Sequence, residues 1–476
     1  MRNKNVQMSL FDTYNDVCST MENDKSEFLR MLETHINLEN LIPFEFYWAF
    51  YRNLGRKREY DLESFVKFCI LQDAIGISQD KTMLTVLKFS DELFEYCGFG
   101  KVPDASKITR FKQNFTHYIK MMFDRLVEMT EPICRELDSK KSDYLMYDLT
   151  GIVANVAENN PKFLNGRINN AKKLAKKNPN LNAHALAYAS MPATAAANPF
   201  VKQQYINGHF CYAHKAGILT NGLGIVRDIA FFDEKFKGRH PEVVSKKTDN
   251  PELDKEISDS ISLKPVLSDF FEAHPIFSYK TFLGDSSFDK YDHYIMLKNE
   301  FHFERMAIPL NLRNSIGAHK DFDEKGIPLC PLDKTPFTYI GKSGGENRSN
   351  RFKWVCHKSK QVPKSSKRIC TCETPCTDSS YGRCVYTYPD KNLRLYPGIP
   401  RGTEHWDNLY KHRALIERTI NILKGTLGGE NPKSYSAPTA KANLLFAGIT
   451  HLIGVVLAHA IKKPELYKSV RKLVAA

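Results

Sequence analysis

Long apolar runs are scarce in this chain of 476 residues. The most apolar one, Leu444 to Ala460, is shorter than the roughly 20 residues a bilayer requires and contains Thr450, His451 and His459. It is expected to be a buried helix, with no membrane partner. The opening segment MRNKNVQMSLFDTYNDV has neither the basic start and apolar run of a secretory signal nor its small-residue cleavage site, so a cytoplasmic protein is expected. No convincing internal repeat is evident. Acidic residues are in deficit, 54 against 68 Lys plus Arg, and the resulting charge of +14 favours nucleic acid or another polyanion as partner. Eleven cysteines in such a chain are expected to be reduced thiols, yet six of them crowd between Cys330 and Cys384.

The length predicts two or three domains. Residues 1–138 read as an all-helical N-terminal domain, from the apolar spacing in FEFYWAFYRNL, ESFVKFCILQDAIG and IKMMFDRLVEMTEPIC. Within it, a helix capped at Asp104 or Ser106 places Lys107 and Arg110 on one face suited to phosphates, with Lys112 pointing away; a solvated face is the plainer reading. From Asp143 the pattern changes to strands. DYLMYDLTGI is the first, ending near Asp148; HFCYAHKAGILT and LGIVRDIAFF follow, joined by a hairpin turn at Asn221-Gly222. A helical stretch from about Pro251 to His274 precedes a strand ending at Asp285, and HFERMAIPLN supplies a fifth strand. Residues 139–310 are therefore read as an α/β core, interrupted at 155–205 by an exposed basic excursion. Lys172 and Lys173 of that excursion could grip a DNA backbone or simply be solvated. Residues 311–401 form a Cys-rich insertion, and 402–476 return to the core as helices.

In WDNLYKHRALIERTINILKGTLGG, the residues Tyr410, Arg413, Glu417 and Lys424 fall at about 0°, 300°, 340° and 320° on an ideal helix. One stripe thus carries a phenol, two cations and a carboxylate, opposite an apolar face that can dock. Asp148 and Asp285, each expected at a strand end, could join Glu417 in binding two Mg²⁺ or Mn²⁺ ions, because hard cations prefer oxygen donors. The plainer alternative for Arg413 and Glu417 is an intrahelical ion pair.

Asp148 in YDLTG, Asp285 in GDSSFD and the spacing Tyr-x2-Arg-x3-Glu-x6-Lys resemble DDE insertion-sequence transposases and their Y-R-E-K signature. The resemblance covers about residues 140–460, with Ser287 where many members have glycine. It implies an RNase H-like mixed sheet flanked by helices, with Asp148, Asp285 and Glu417 as catalytic metal ligands. Tyr410, Arg413 and Lys424 would then contact phosphates at the transposon ends. It further implies binding to terminal inverted repeats, DNA cleavage and strand transfer by a two-metal mechanism, a synaptic homodimer, and a bacterial, nucleoid-associated location. The competing readings are a domesticated DNA-binding protein without catalysis and an RNase H-like nuclease without strand transfer.

The insertion is poor in apolar residues and needs a staple. Structural zinc held by thiolates from Cys356, Cys370, Cys372, Cys376 and Cys384, with Cys330 nearby, is one reading; scattered reduced thiols are the other. Trp354, one of three tryptophans, stands among Arg351, Lys353 and Lys358. It could stack an unpaired base, as insertion-domain aromatics do in related transposases that form hairpins, or pack a small core.

Overall fold

A computed structural model of the chain describes residues 25–52, 57–178, 181–206, 209–244, 257–311, 321–345, 348–389, 391–430, 433 and 435–475. The opening segment read for a secretion signal and the start of the helical stretch expected from Pro251 lie outside these residues. The chain forms two compact units. One comprises Met1–Ile133, Val153–Asn155 and Asn421–Ala476, and the other Cys134–Ile152 and Val156–Ile420.

The first unit is helical. Phe46, Phe50, Phe65, Phe111 and Phe115 stack or meet edge to face, and Phe111 also lies 6.3 Å from Phe446 of the helix Ala437–Ala460. Aromatic edges and faces of opposite partial charge favour such contacts beyond the area they bury. The Ala437–Ala460 helix is apolar enough to cross a membrane, but 89 % of its most apolar window is buried here. It therefore belongs with the N-terminal helices, not with the sheet as the 402–476 assignment expected. Lys112 is buried against Asp80, Nζ to Oδ1 2.7 Å, while Lys107 and Arg110 on the same helix, Ala105–Asn114, are exposed.

The second unit is built on a sheet of seven strands among the described residues. These are β1 (Tyr144–Val153), β2 (Thr194–Ala195), β3 (Asn198–Ile206), β4 (His209–Asn221), β5 (Val226–Phe231), β6 (Thr281–Leu283) and β7 (Arg305–Ala307). Their order is β2-β3-β4-β1-β6-β7, with β5 also paired to β4. β4 and β5 are antiparallel, whereas β1, β6 and β7 run parallel. The central strands are buried on both faces, as parallel strands flanked by helices must be.

Three expectations are corrected. The 155–205 segment is no mere excursion: after the helices Pro161–Ala175 and Ala183–Ala189 it supplies β2 and β3, which extend the sheet beyond β4. Alternation hid β3 because its apolar and polar residues do not separate cleanly, although Val201 is fully buried. The β4–β5 connection is longer than a two-residue turn. Asn221 Oδ1 accepts the N–H groups of Leu223 and Ile225, and the left-handed residue is Gly224, φ +78°, not Gly222. Finally, β1 continues past Asp148, which therefore sits within the strand.

The insertion folds on a three-stranded antiparallel sheet of β8 (Thr338–Gly345), β9 (Arg348–Val355) and β12 (Cys384–Thr387), with a small hairpin of β10 (Ser359–Gln361) and β11 (Arg368–Cys370). Its two ends are clamped by a buried carboxylate. Asp289, fully buried, accepts Arg394 Nε at 3.0 Å, Arg394 Nη2 at 2.7 Å, Tyr294 Oη at 2.9 Å and the Asn311 N–H at 2.7 Å. Arg401 donates to Tyr294 Oη and to the carbonyl oxygens of Ile308 and Arg394. A buried charge is tolerated only when paired and hydrogen-bonded on every side. Asp289→Ala leaves the Arg394 guanidinium without its anion and is expected to cost about 3–5 kcal/mol. A fall in the urea midpoint, followed by tryptophan fluorescence, checks this; an unchanged midpoint removes the clamp.

Candidate active site

The last paired residues of β1 and β6 are Met146 and Leu283. Asp148 and Asp285 each lie two positions further on, so the parallel register brings them to matching places on one face. Asp285 caps a short 3-10 turn, Ser286–Phe288. Its Oδ1 accepts the Ser287 N–H at 2.8 Å and also the Ser287 hydroxyl, which gives the serine at this position a role in holding the carboxylate. Asp148 Oδ1 accepts the Leu149 N–H at 2.9 Å.

The expected single helix through Tyr410 to Lys424 is interrupted twice. Helix Glu404–Tyr410 passes through a 3-10 turn at Lys411–Arg413 into helix Ala414–Asn421, and a π-turn follows at Ile422–Thr426. At the first break, His412 Nδ1 lies 3.1 Å from the carbonyl oxygens of both Asn408 and Leu409. The regular helix on which the four-residue stripe, about 21 Å long, was drawn is therefore not continuous. Lys424 pairs with Glu430 at 3.4 Å within the helical unit. Tyr410 is half-buried and stacks on Trp406, with burial first among the causes that push its phenol up. Thr419 Oγ1 donates to Gly224 O at 2.6 Å, which fastens the Ala414–Asn421 helix to the β4–β5 turn.

Arg413, at the end of the 3-10 turn, meets the two aspartates, and Glu417, on that helix, meets Arg413. Arg413 Nη2 lies 3.0 Å from Asp148 Oδ2 and 4.0 Å from Asp285 Oδ2, and its Nη1 donates to Glu417 Oε1. The guanidinium is mostly buried, with its Nε lacking a hydrogen-bond partner, whereas Glu417 is well exposed. One cation thus meets all three predicted carboxylates. The Arg413–Glu417 ion pair weighed from sequence is present, as one arm of this larger arrangement. Among the described residues no three His, Cys, Asp or Glu side chains are gathered closely enough to hold a metal as they stand.

The other predicted residues fall elsewhere. Lys172 and Lys173 are exposed near the end of their helix. Trp354 is a correction. It is 2 % exposed, lies 5.3 Å from the Tyr339 ring and donates Nε1–H to Thr387 Oγ1 at 2.8 Å. The small core needed a large aromatic, and stacking on a base would require Trp354 to leave it. Sequence reasoning also missed Asp289, Arg394 and Arg401. Nothing in their spacing marks them as partners, because they meet only in space.

Burial above all pushes the Asp148 carboxyl up, to about 6; Arg413 and the Leu149 N–H oppose the rise, and Asp285 and Asp259 add to it. The folded chain therefore holds this proton more tightly than the unfolded chain, so the ionised carboxylate costs stability above pH 6. The cost fades as pH falls from 6 towards 3.8, the ordinary value. Asp148→Asn removes the titration and is expected to raise the melting temperature at pH 8, by the equivalent of about 2–3 kcal/mol at most. The gain should shrink below pH 6 in a calorimetric pH series; a gain independent of pH contradicts the assignment.

Residues 17–114, within the helical unit and well under half the chain, match a family described as Transposase domain (DUF772). No curated protein matches the chain. Among solved structures, the cryo-EM structure of a piggyBac transposase synaptic complex with hairpin DNA matches 96 % of this chain and 80 % of that one, at 9 % identity and a TM-score of 0.39. A likeness of that size carries no argument. The profile match makes the N-terminal helices similar to a transposase domain, in a chain whose second unit converges three carboxylates on one arginine.

Proposed function

We propose that this protein is a DDE transposase, binding the terminal inverted repeats of an insertion sequence and cutting and rejoining DNA at the Asp148, Asp285 and Glu417 site. The observation that carries this reading is the meeting of these three carboxylates, from two parallel strands and one helix, on the Arg413 guanidinium. The strand order β5-β4-β1-β6-β7, with β5 antiparallel to β4 and the last three strands parallel, is what an RNase H-like core calls for. The transposase profile over residues 17–114 supports the same reading from a separate part of the chain.

The donor set is all oxygen and suits hard divalent cations. Two Mg²⁺ or Mn²⁺ ions held by Asp148, Asp285 and Glu417 would supply the activation of an attacking hydroxyl and the stabilisation of the leaving oxygen in each in-line displacement at phosphorus. The chain's own residues do the rest. Ser287 holds Asp285 in orientation, and Thr419 fixes the helix that carries Glu417. Asp148 must be ionised to serve as a ligand. Arg413, released from the carboxylates, has the planar fork that matches a phosphate next to the reacting one. Tyr410 offers a phenol beside it, and Lys424, once freed from Glu430, is a further phosphate contact. The exposed Lys107 and Arg110, with Lys172 and Lys173, add non-specific hold on the backbone. A synaptic homodimer follows from the need to pair two ends.

The test uses a labelled duplex carrying the DNA that flanks the protein's own coding sequence, with Mg²⁺. Cleavage followed by joining is expected. Asp285→Asn should lower cleavage at least ~100-fold, beyond the 10–100-fold typical of outer-shell partners, while leaving DNA binding intact. Cleavage without joining supports a nuclease, and binding alone supports a domesticated protein. The double variant Lys107→Ala, Arg110→Ala should weaken binding across sequences and reduce the salt slope by about 2; an unchanged slope makes that helix face merely solvated.

A further inference from the structure

The thiols of the insertion are used by nothing in the proposed reaction, and the fold rearranges them in a way their spacing did not foretell. Three turns converge. Cys330 N–H donates to Thr335 O and Lys334 N–H to Cys330 O, closing a tight turn with Lys334 in the left-handed region, φ +57°. Thr335 Oγ1 lies 2.7 Å from His357 Nδ1, and Lys358 Nζ lies 3.0 Å from Asp333, so this turn is tied to the one that follows β9. There, Ser359 N–H donates to Cys356 O at 2.8 Å. The third segment is tied to the same place: Ser359 pairs with Cys370, and Thr371 donates both its N–H, at 3.1 Å, and its hydroxyl, at 2.8 Å, to Lys358 O.

Cys330 and Cys356 are buried together in a small core with Phe337, Phe352, Trp354 and Tyr396. Cys370, Cys372 and Cys376 are half-buried. The Cys356 thiol is pushed up by burial first and then by Cys330, Cys376 and Cys370, and that of Cys372 is raised by its hydrogen bond to Cys370 and by Cys356, so Cys356 is the thiol the others surround. Cys384 is not among them. It opposes Val355 on β9 and shares its strand face with Tyr386, opposite Lys353, while Val385 between them packs on the core.

We infer that Cys330, Cys356, Cys372 and Cys376 bind one structural zinc ion that staples the insertion. The structure thereby brings Cys330 into the ligand set and removes Cys384. Zinc prefers four thiolates in a closed site, and the C-x3-C spacing of Cys372 and Cys376 falls within the usual range for paired ligands. Cys370, on the β11 strand, is left to hydrogen-bond Cys372 as an outer partner. The Sγ atoms are not gathered into a coordination sphere here; the converged backbones are the preorganised part, and ligation turns the side chains inward. Binding displaces the thiol protons to solvent as the four zinc–sulfur bonds form, so affinity falls as pH is lowered. Such a site suits a subdomain whose apolar core is too small to hold itself together.

The experiment is elemental analysis of the full-length protein purified without chelator, with Co²⁺ replacement read by absorbance. About one zinc per chain and a thiolate-to-cobalt band are expected. Cys372→Ser and Cys376→Ser, at half-exposed positions that leave the buried pair intact, should each lower retained zinc at least ~10-fold, whereas Cys384→Ser should retain it. Zinc near zero in the unmodified protein overturns the inference, as does a disulfide count showing these thiols oxidised instead. Loss on Cys384→Ser with retention on Cys372→Ser overturns the ligand set. None of these readouts involves DNA or cleavage, so they stand apart from the transposase reading.

Discussion

A buried carboxylate that must be paired organises the sheet unit. Asp289 has no exposed surface, and its ionised form is tolerable only because Arg394, Tyr294 and the Asn311 N–H surround it. These partners come from the helix after β6, from the chain just beyond β7 and from the far end of the insertion. Satisfying one charge therefore brings the exit and return of the insertion together. Arg401 completes the junction by donating to Ile308 O, Arg394 O and Tyr294 Oη, three residues before the helix Glu404–Tyr410 begins. The clamp thus delivers that helix, and with it Arg413 and Glu417, to the part of the sheet that holds the two aspartates.

At the two aspartates the electrostatic problem is inverted. Carboxylates gathered at one place repel one another, and burial first, then Asp285 and Asp259, lift the Asp148 pKa. Arg413 offsets this with one guanidinium in contact with Asp148, Asp285 and Glu417. The same residue that stabilises the folded site has the geometry to bind a phosphate, so charge balance and substrate recognition are assigned to one side chain.

Much of this was legible from sequence, for identifiable reasons. β1, β6 and the β4–β5 hairpin announce themselves because buried strands leave dense apolar runs, and Asp148 and Asp285 stand out as the acids that follow. β3 was read as part of an exposed excursion because a strand near the sheet edge mixes polar and apolar residues. The stripe on the Tyr410 helix was drawn on an ideal 3.6-residue period, which cannot anticipate a 3-10 turn at Lys411–Arg413 or a π-turn at Ile422–Thr426. Trp354 was ambiguous for a physical reason: a tryptophan flanked by cations has the same local sequence whether its indole faces solvent or, as here, the core.

The sequence by itself determined the N-terminal helices, the buried strands β1, β4, β5 and β6, the basic surplus and the chemical types available at the site, since these depend on periodicity, composition and side-chain chemistry within short windows. Tertiary structure alone decided which of those side chains meet. The parallel register set Asp148 beside Asp285, the Asp289 clamp carried Arg413 and Glu417 to them, and the pairing of β12 with β9 put Cys384 on the strand face away from Val385. Each of these depends on contacts between residues distant along the chain. Their cost is the conformational entropy of closing long loops, and only the completed packing offsets it.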